Sequence, residues 1–267
     1  MIKIIKPSIG GHDGSSFREL LDMWAEKGLC TVEMGPAVRS SDYDEDPDSP
    51  EAKCWIEKQG NILLYDFPIL DRLKNDYKMC LFSNMYAEGE KNKKWIFWPR
   101  WSRFVDENKE ALRNLEKTER CVFVGRATNT ARNSIAGYWS RACDVFSIRG
   151  NLNYSDYMTL SARSHFGLCL PGVGPKCLRD VEYMAVGTIP VVVDYKAVKL
   201  YHNPPVEGEH YIYANSVEEA KCKMDDLLAN PQDMKRMSQN CIEWFEENCS
   251  VNGSFKTTME IIEKFND

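Results

Sequence analysis

The chain lacks most of the short signatures that identify an enzyme class at sight. No Cys-x-x-Cys occurs among its ten cysteines. Several of them, such as Cys80, Cys121 and Cys169, sit inside apolar runs, where a thiol behaves as a small hydrophobe, so a reduced protein is expected. The four histidines, His12, His165, His202 and His210, show no metal-ligand spacing. No G-x-G-x-x-G follows the first apolar run, which disfavours a dinucleotide-binding oxidoreductase, and no G-x-S-x-G supplies a hydrolase nucleophile elbow. No apolar run approaches the roughly 18 residues of a membrane span, and the start, MIKIIKPSIGG, is broken by proline and glycine too soon for a signal peptide. The chain therefore reads as soluble and cytoplasmic. Its 34 basic and 40 acidic residues are mixed along the sequence. Without a basic stripe, nucleic acid is not an expected partner.

What is present is a globular composition, 43% apolar over 267 residues, enough for one large or two small domains. Short runs rich in Val, Ile and Phe alternate with amphipathic helical patterns, the sign of βα units and parallel sheets. A first set comprises IKIIKPSI, the helix SSFRELLDMWAEKG, and the strands CTVEMG, NILLYDFP and KMCLFSN. A second comprises RCVFVGR, a short helix near 131–139, ACDVFSIRG, the helix YSDYMTLSARS, HFGLCLPG, the helix KCLRDVEYMAVG and TIPVVVDY. The expected organisation is an N-terminal Rossmann-like domain over 1–105, a second over 106–240, and C-terminal helices over 241–267 that pack back on the first domain. SSDYDEDPDSPEAK, with six acids and two prolines, reads as a solvated loop. KKWIFWPRWSRF reads as an apolar plug, or as an acceptor groove in which Trp98, Arg100 or Trp101 meets a sugar face.

The most informative stretch is FGLCLPGVGPKCLRDVEYMAVGTIPVVV, residues 166–193. A buried strand runs into Pro171, Gly172 and Gly174, whose turn permits close backbone approach. Lys176, Cys177 and Arg179 then open a helix whose amides and charges suit a phosphate. Glu182, three residues beyond Arg179, shares its helix face and could accept both hydroxyls of a ribose. The bland alternative is a glycine turn with solvated Lys, Arg and Glu. The turn's place at the carboxyl end of a parallel strand favours a ligand site.

These residues resemble the exostosin-like glycosyltransferases. CVFVGR, YMTLSARSHFGLCLPGVGP and RDVEYMAVGTIPVV follow the order and spacing of that family's nucleotide-sugar segments over about residues 120–230. The sequence departs where Arg126 directly follows Gly125, and where Lys176 replaces a small residue. The resemblance implies an α/β, GT-B-like fold, with two Rossmann-like domains facing across a cleft and the donor held by the C-terminal one. It further implies inversion at the anomeric carbon and no metal or other cofactor in catalysis. The donor is then a UDP-sugar, UDP-xylose first and UDP-galactose second, because a small N-terminal domain leaves modest room for the sugar. The acceptor is a hydroxyl of a glycan, on an oligosaccharide or glycoprotein. Lacking an anchor, the chain looks like a cytosolic relative of the kind encoded by microbes or by large DNA viruses such as the chloroviruses.

Carried over residue by residue, Glu182 matches the glutamate on the ribose, Arg179 the arginine before it, and Gly172 and Gly174 the turn. Charge and placement add Arg126 and Lys176, with Arg149 a further candidate for the diphosphate or base pocket. Tyr157 could stack on uracil or pack in the core. An inverting transfer needs a general base beside the acceptor hydroxyl. Asp13, after the first strand in a glycine-rich loop, is the first candidate; Asp66, ending another strand, and His12 are its rivals. The competing class is a nucleotide-sugar or glycan binding module that holds phosphate without a base.

Overall fold

The computed structural model describes residues 2–9, 15–38, 54–56, 62–65, 79–82, 95–97, 103–126, 130–150, 152–171, 179–193, 198–199 and 201–266. The chain divides into two compact units, one of residues 1–103, 200–202 and 251–267, the other of residues 104–199 and 203–250.

The first unit is built on β1 (Ile2–Ile9), α1 (Ser15–Glu26), β2 (Cys30–Val38), β3 (Cys54–Ile56), β4 (Ile62–Tyr65), β5 (Met79–Phe82) and β6 (Trp95–Phe97). Its six strands lie in the order β2-β1-β3-β4-β5-β6. β1 and β2 are parallel, as are β4, β5 and β6, but β3 runs antiparallel to both β1 and β4. The expectation of parallel sheets is thus corrected in this unit by one three-residue strand. Three residues beside a long acidic stretch are too few for a periodicity to declare itself.

The second unit contains α2 (Arg103–Arg113), β7 (Glu119–Val124), α3 (Thr130–Trp139), β8 (Val145–Ser147), α4 (Tyr154–Ala162), β9 (Ser164–Cys169), α5 (Arg179–Ala185), β10 (Ile189–Val192), β11 (Ile212–Tyr213), α6 (Val217–Leu228) and α7 (Pro231–Asn248). Every described strand pairing here is parallel, in the order β11-β10-β9-β7-β8. Strands buried on both faces read as continuous apolar runs, and Cys121, Val122, Phe123, Phe166, Leu168, Ile189 and Val191 are buried accordingly. The chain leaves β7 for β8 on one side and returns to β9 on the other, so the crevice between the carboxyl ends of β7 and β9 is a topological switch point. Gly167 on β9 lets the ring of Tyr183 lie directly on the strand, because any Cβ there would collide with it. α5 is thereby held close over the sheet.

α7 runs through residue 240 without a break and is capped by Asn230, whose side chain accepts from the Asp233 amide, with Pro231 in the first turn. Residues 241–250 therefore stay with the second unit, a correction to the expected boundary. Its buried Cys241, Trp244 and Phe245 keep it there. The last helix, α8 (Val251–Asn266), belongs to the first unit, where Val251, Ile261 and Ile262 pack with Leu20, Leu21 and Trp24. The Trp24 indole donates to the Val251 carbonyl at 3.0 Å.

Candidate active site

At the switch point of the second sheet lies a cavity of about 350 Å³. Its wall includes Gly125 and Arg126 after β7, Gly150 after β8, Tyr154 and Tyr157 on α4, Arg132 on α3, and Arg179 and Glu182 on α5. The positioning starts with local sequence. Asn153 caps α4 by accepting from the Asp156 amide at 2.8 Å, which starts the helix so that Tyr154 and Tyr157, three apart, share one face. On α5 the same spacing aligns Arg179 with Glu182.

Glu182 is buried, at 4% exposure. One carboxylate oxygen accepts from the Tyr154 hydroxyl at 2.6 Å and the other from the Tyr157 hydroxyl at 2.9 Å. A carboxylate oxygen can accept more than one hydrogen bond, so the pair of tyrosine hydroxyls orients the group without making it unable to meet a ligand. Burial, and then the neighbouring Glu182 charge, push the Tyr157 phenol well above its ordinary range, so it remains a donor. The Tyr157 ring is buried, while Tyr154 keeps an exposed edge and packs edge-on against Phe104 at 5.4 Å.

The arginines tie the rim together. Arg179 donates to the Val124 carbonyl at 2.9 Å, with its guanidinium 4.6 Å from the Phe123 ring centroid. Gly125 makes room for that reach, since a Cβ there would lie 2.8 Å from the guanidinium. Arg132, 5% exposed, donates to the Pro171 carbonyl at 2.9 Å and the Arg126 carbonyl at 2.7 Å, joining the segments that follow β7 and β9. Arg126 forms an isolated antiparallel bridge with Arg149, and its side chain crosses Gly150, whose φ of +59° and missing Cβ accommodate it. Three guanidinium groups around one carboxylate leave the cavity cationic, suited to a ligand carrying negative charge and vicinal hydroxyls.

Of the donor-side residues named from sequence, Gly125, Arg126, Tyr157, Arg179 and Glu182 line this one cavity. Pro171 touches it through Arg132, and Arg149 lies exposed at its edge. Gly172, Gly174, Lys176 and Cys177 lie outside the described residues, as do Asp13, His12 and Asp66, and Trp98, Arg100 and Trp101. Sequence reasoning missed Arg132 and Tyr154. The Tyr154–Tyr157 spacing was a usable signal for the second; nothing local marks the first. Among the described residues no group of His, Cys, Asp and Glu is arranged to hold a metal ion.

The sequence matches the model of the glycosyl transferase-like family over residues 103–253, more than half of the chain. The chain belongs to that family. It is accordingly an α/β transferase that moves a glycosyl group, and the matched segment contains the whole described cavity. A solved glycosyltransferase from Rickettsia africae ESF-5 is similar at 11% identity and a TM-score of 0.47, covering 95% of this chain and 81% of that one. No curated protein gives a match. Among the described residues no helix of this family member is long and apolar enough to cross a membrane.

Proposed function

We propose that this glycosyltransferase is an inverting, exostosin-like enzyme that takes a UDP-sugar, UDP-xylose first and UDP-galactose second, and transfers the sugar to a glycan hydroxyl. The observation that carries the reading is Glu182, buried between two tyrosine hydroxyls in a cavity rimmed by Arg126, Arg132 and Arg179. In the proposed complex the ribose diol donates to the Glu182 carboxylate, and the diphosphate meets the guanidinium groups, with Lys176 proposed as a further phosphate ligand. As the glycosidic bond breaks, charge grows on the UDP leaving group, and fixed cations in a part-buried site stabilise it. The acceptor hydroxyl attacks from the opposite face and gives its proton to a base, with Asp13 proposed ahead of Asp66 and His12.

The reading includes independence from metal. The acidic stretch at 42–48 offers closely spaced aspartates that a divalent cation would accept, so the point needs a direct test. UDP titrated into the protein should bind saturably and equally with EDTA or with magnesium or manganese. Turnover of UDP-xylose followed by NMR should give a product of inverted anomeric configuration. Binding that disappears in EDTA would overturn the metal-free reading, and retained configuration would overturn the inverting one.

A further inference from the structure

The second sheet carries another cavity, of about 420 Å³, at the end away from the donor pocket. Lys117 stands just before β7, His165 is the second residue of β9, and Gly187 precedes β10, so this cavity lies at the amino ends of the strands. Lys235 and Ser238 on α7 line it too, as do the apolar side chains of Leu228 and Met234.

Its titratable groups, Lys117, His165 and Lys235, are all basic. Lys117 donates to the Thr188 hydroxyl oxygen at 2.9 Å and the Val186 carbonyl at 3.3 Å, both neutral. Thr188 spends its own proton on the Ser161 carbonyl at 2.6 Å, so it can only accept from the lysine. Ser238 likewise gives its proton to the Gly187 carbonyl at 2.6 Å. Among the described residues, Lys117, His165 and Lys235 form no ion pair, whereas Lys109, Arg113 and Lys223 elsewhere in this unit all do. The groups facing Lys117 are His165 from β9, and Lys235 and the Cys241 thiol from α7, which burial keeps neutral. A half-buried ammonium without a counterion is costly, and an anion brought into the cavity would relieve that cost. The remaining wall is mostly hydrocarbon, which favours a ligand whose charge is confined to one end.

We propose that this cavity is a second binding site, separate from the donor pocket, for a small organic anion. One carboxylate meets the ammonium of Lys117, supported by His165 and Lys235, while a short apolar body lies against Leu228 and Met234. Burial lowers the Lys117 ammonium to about 7, and burial followed by the Lys117 charge lowers the His165 imidazole. Affinity for an anion should therefore fall as pH rises through neutrality, because Lys117 then loses its charge, His165 having lost its own at lower pH.

Calorimetric titration of the full chain with hexanoate, hexanamide and inorganic phosphate tests the site. Hexanoate should bind saturably at one site, at least about tenfold more tightly than either hexanamide or phosphate, a difference of about 1.4 kcal/mol. Its affinity should drop about tenfold or more in Lys117→Met and measurably in Lys235→Met, which changes an exposed side chain and so leaves folding intact if the first variant fails. Hydrogen exchange should show added protection near residues 115–118, 164–166 and 228–238. No saturable binding, equal binding by both variants, or protection elsewhere overturns the proposal. Hexanamide binding as tightly as hexanoate would reduce the cavity to an apolar hole, and phosphate doing so would reduce it to a charge site; either also overturns it.

Discussion

The two ends of the second sheet are built from similar side chains to different effect. At the carboxyl ends, arginines reach back to main-chain carbonyls, Arg179 to Val124 and Arg132 to Pro171 and Arg126, and a buried acid is held by two phenols. At the amino ends, Lys117 donates to a neutral hydroxyl and a main-chain carbonyl, and shares its cavity with His165, Lys235 and apolar side chains. Parallel strands explain part of this contrast. At the switch point the chain departs in opposite directions and leaves a crevice that other elements must bridge, and guanidinium groups with several donors bridge well. The amino ends are covered by packed helices, so a cation there is set by burial rather than by a network. The lesson is that preorganisation shows in what the charged groups hold as much as in where they stand.

The contrast breaks first at Glu182. Glu182→Ala removes the acceptor of both tyrosine protons and of the proposed ribose, and should weaken UDP binding about 10- to 150-fold, as expected for roughly 1.5 to 3 kcal/mol in bonds to a charged group. A folded variant that binds UDP as the parent does would leave the carboxyl-end network without a ligand role. A smaller effect is expected at Gly150, where φ is +59° and Arg126 lies against the missing Cβ. Gly150→Ala should cost about 1 to 2 kcal/mol of stability through local strain and displace Arg126, lowering UDP affinity by less than Glu182→Ala does. Gly208→Ala is the control: φ is +79° but nothing lies near its Cβ, so stability should fall and UDP affinity should not.

Lys117→Met should leave UDP affinity unchanged and act instead on stability. The folded-state ammonium titrates at about 7, well below its ordinary value of 10.5. Between those pH values the unfolded chain binds more protons than the folded one, so this residue makes stability rise with pH across that window. Denaturant titrations of the parent minus the variant should show that rise, flat below pH 7. A flat difference throughout would mean the ammonium is well solvated, and the two ends would differ less than the geometry indicates.

Much of the second unit was legible because its strands are long, apolar and separated by helices of the other period. CVFV, HFGLCL and IPVVV became β7, β9 and β10, close to their expected limits. Arg179 and Glu182 could be paired from their spacing alone, since three residues on a helix share a face. The antiparallel β3 was not legible, because three residues carry no period. Nor was Arg132, which serves the site through carbonyls six and 39 residues away.

By itself the sequence determined the alternation of strands and helices and the acid and arginine of one helical face, since these are written in periods and spacings of a few residues. Only the tertiary structure decided that Tyr154 and Tyr157 clasp Glu182 from 28 and 25 residues away. It likewise decided that Gly150 yields its volume to Arg126, and that Lys117 shares a cavity with His165 at the other end of the sheet. These are meetings between distant parts of the chain. Their geometry follows from strand order and packing, which no local pattern encodes.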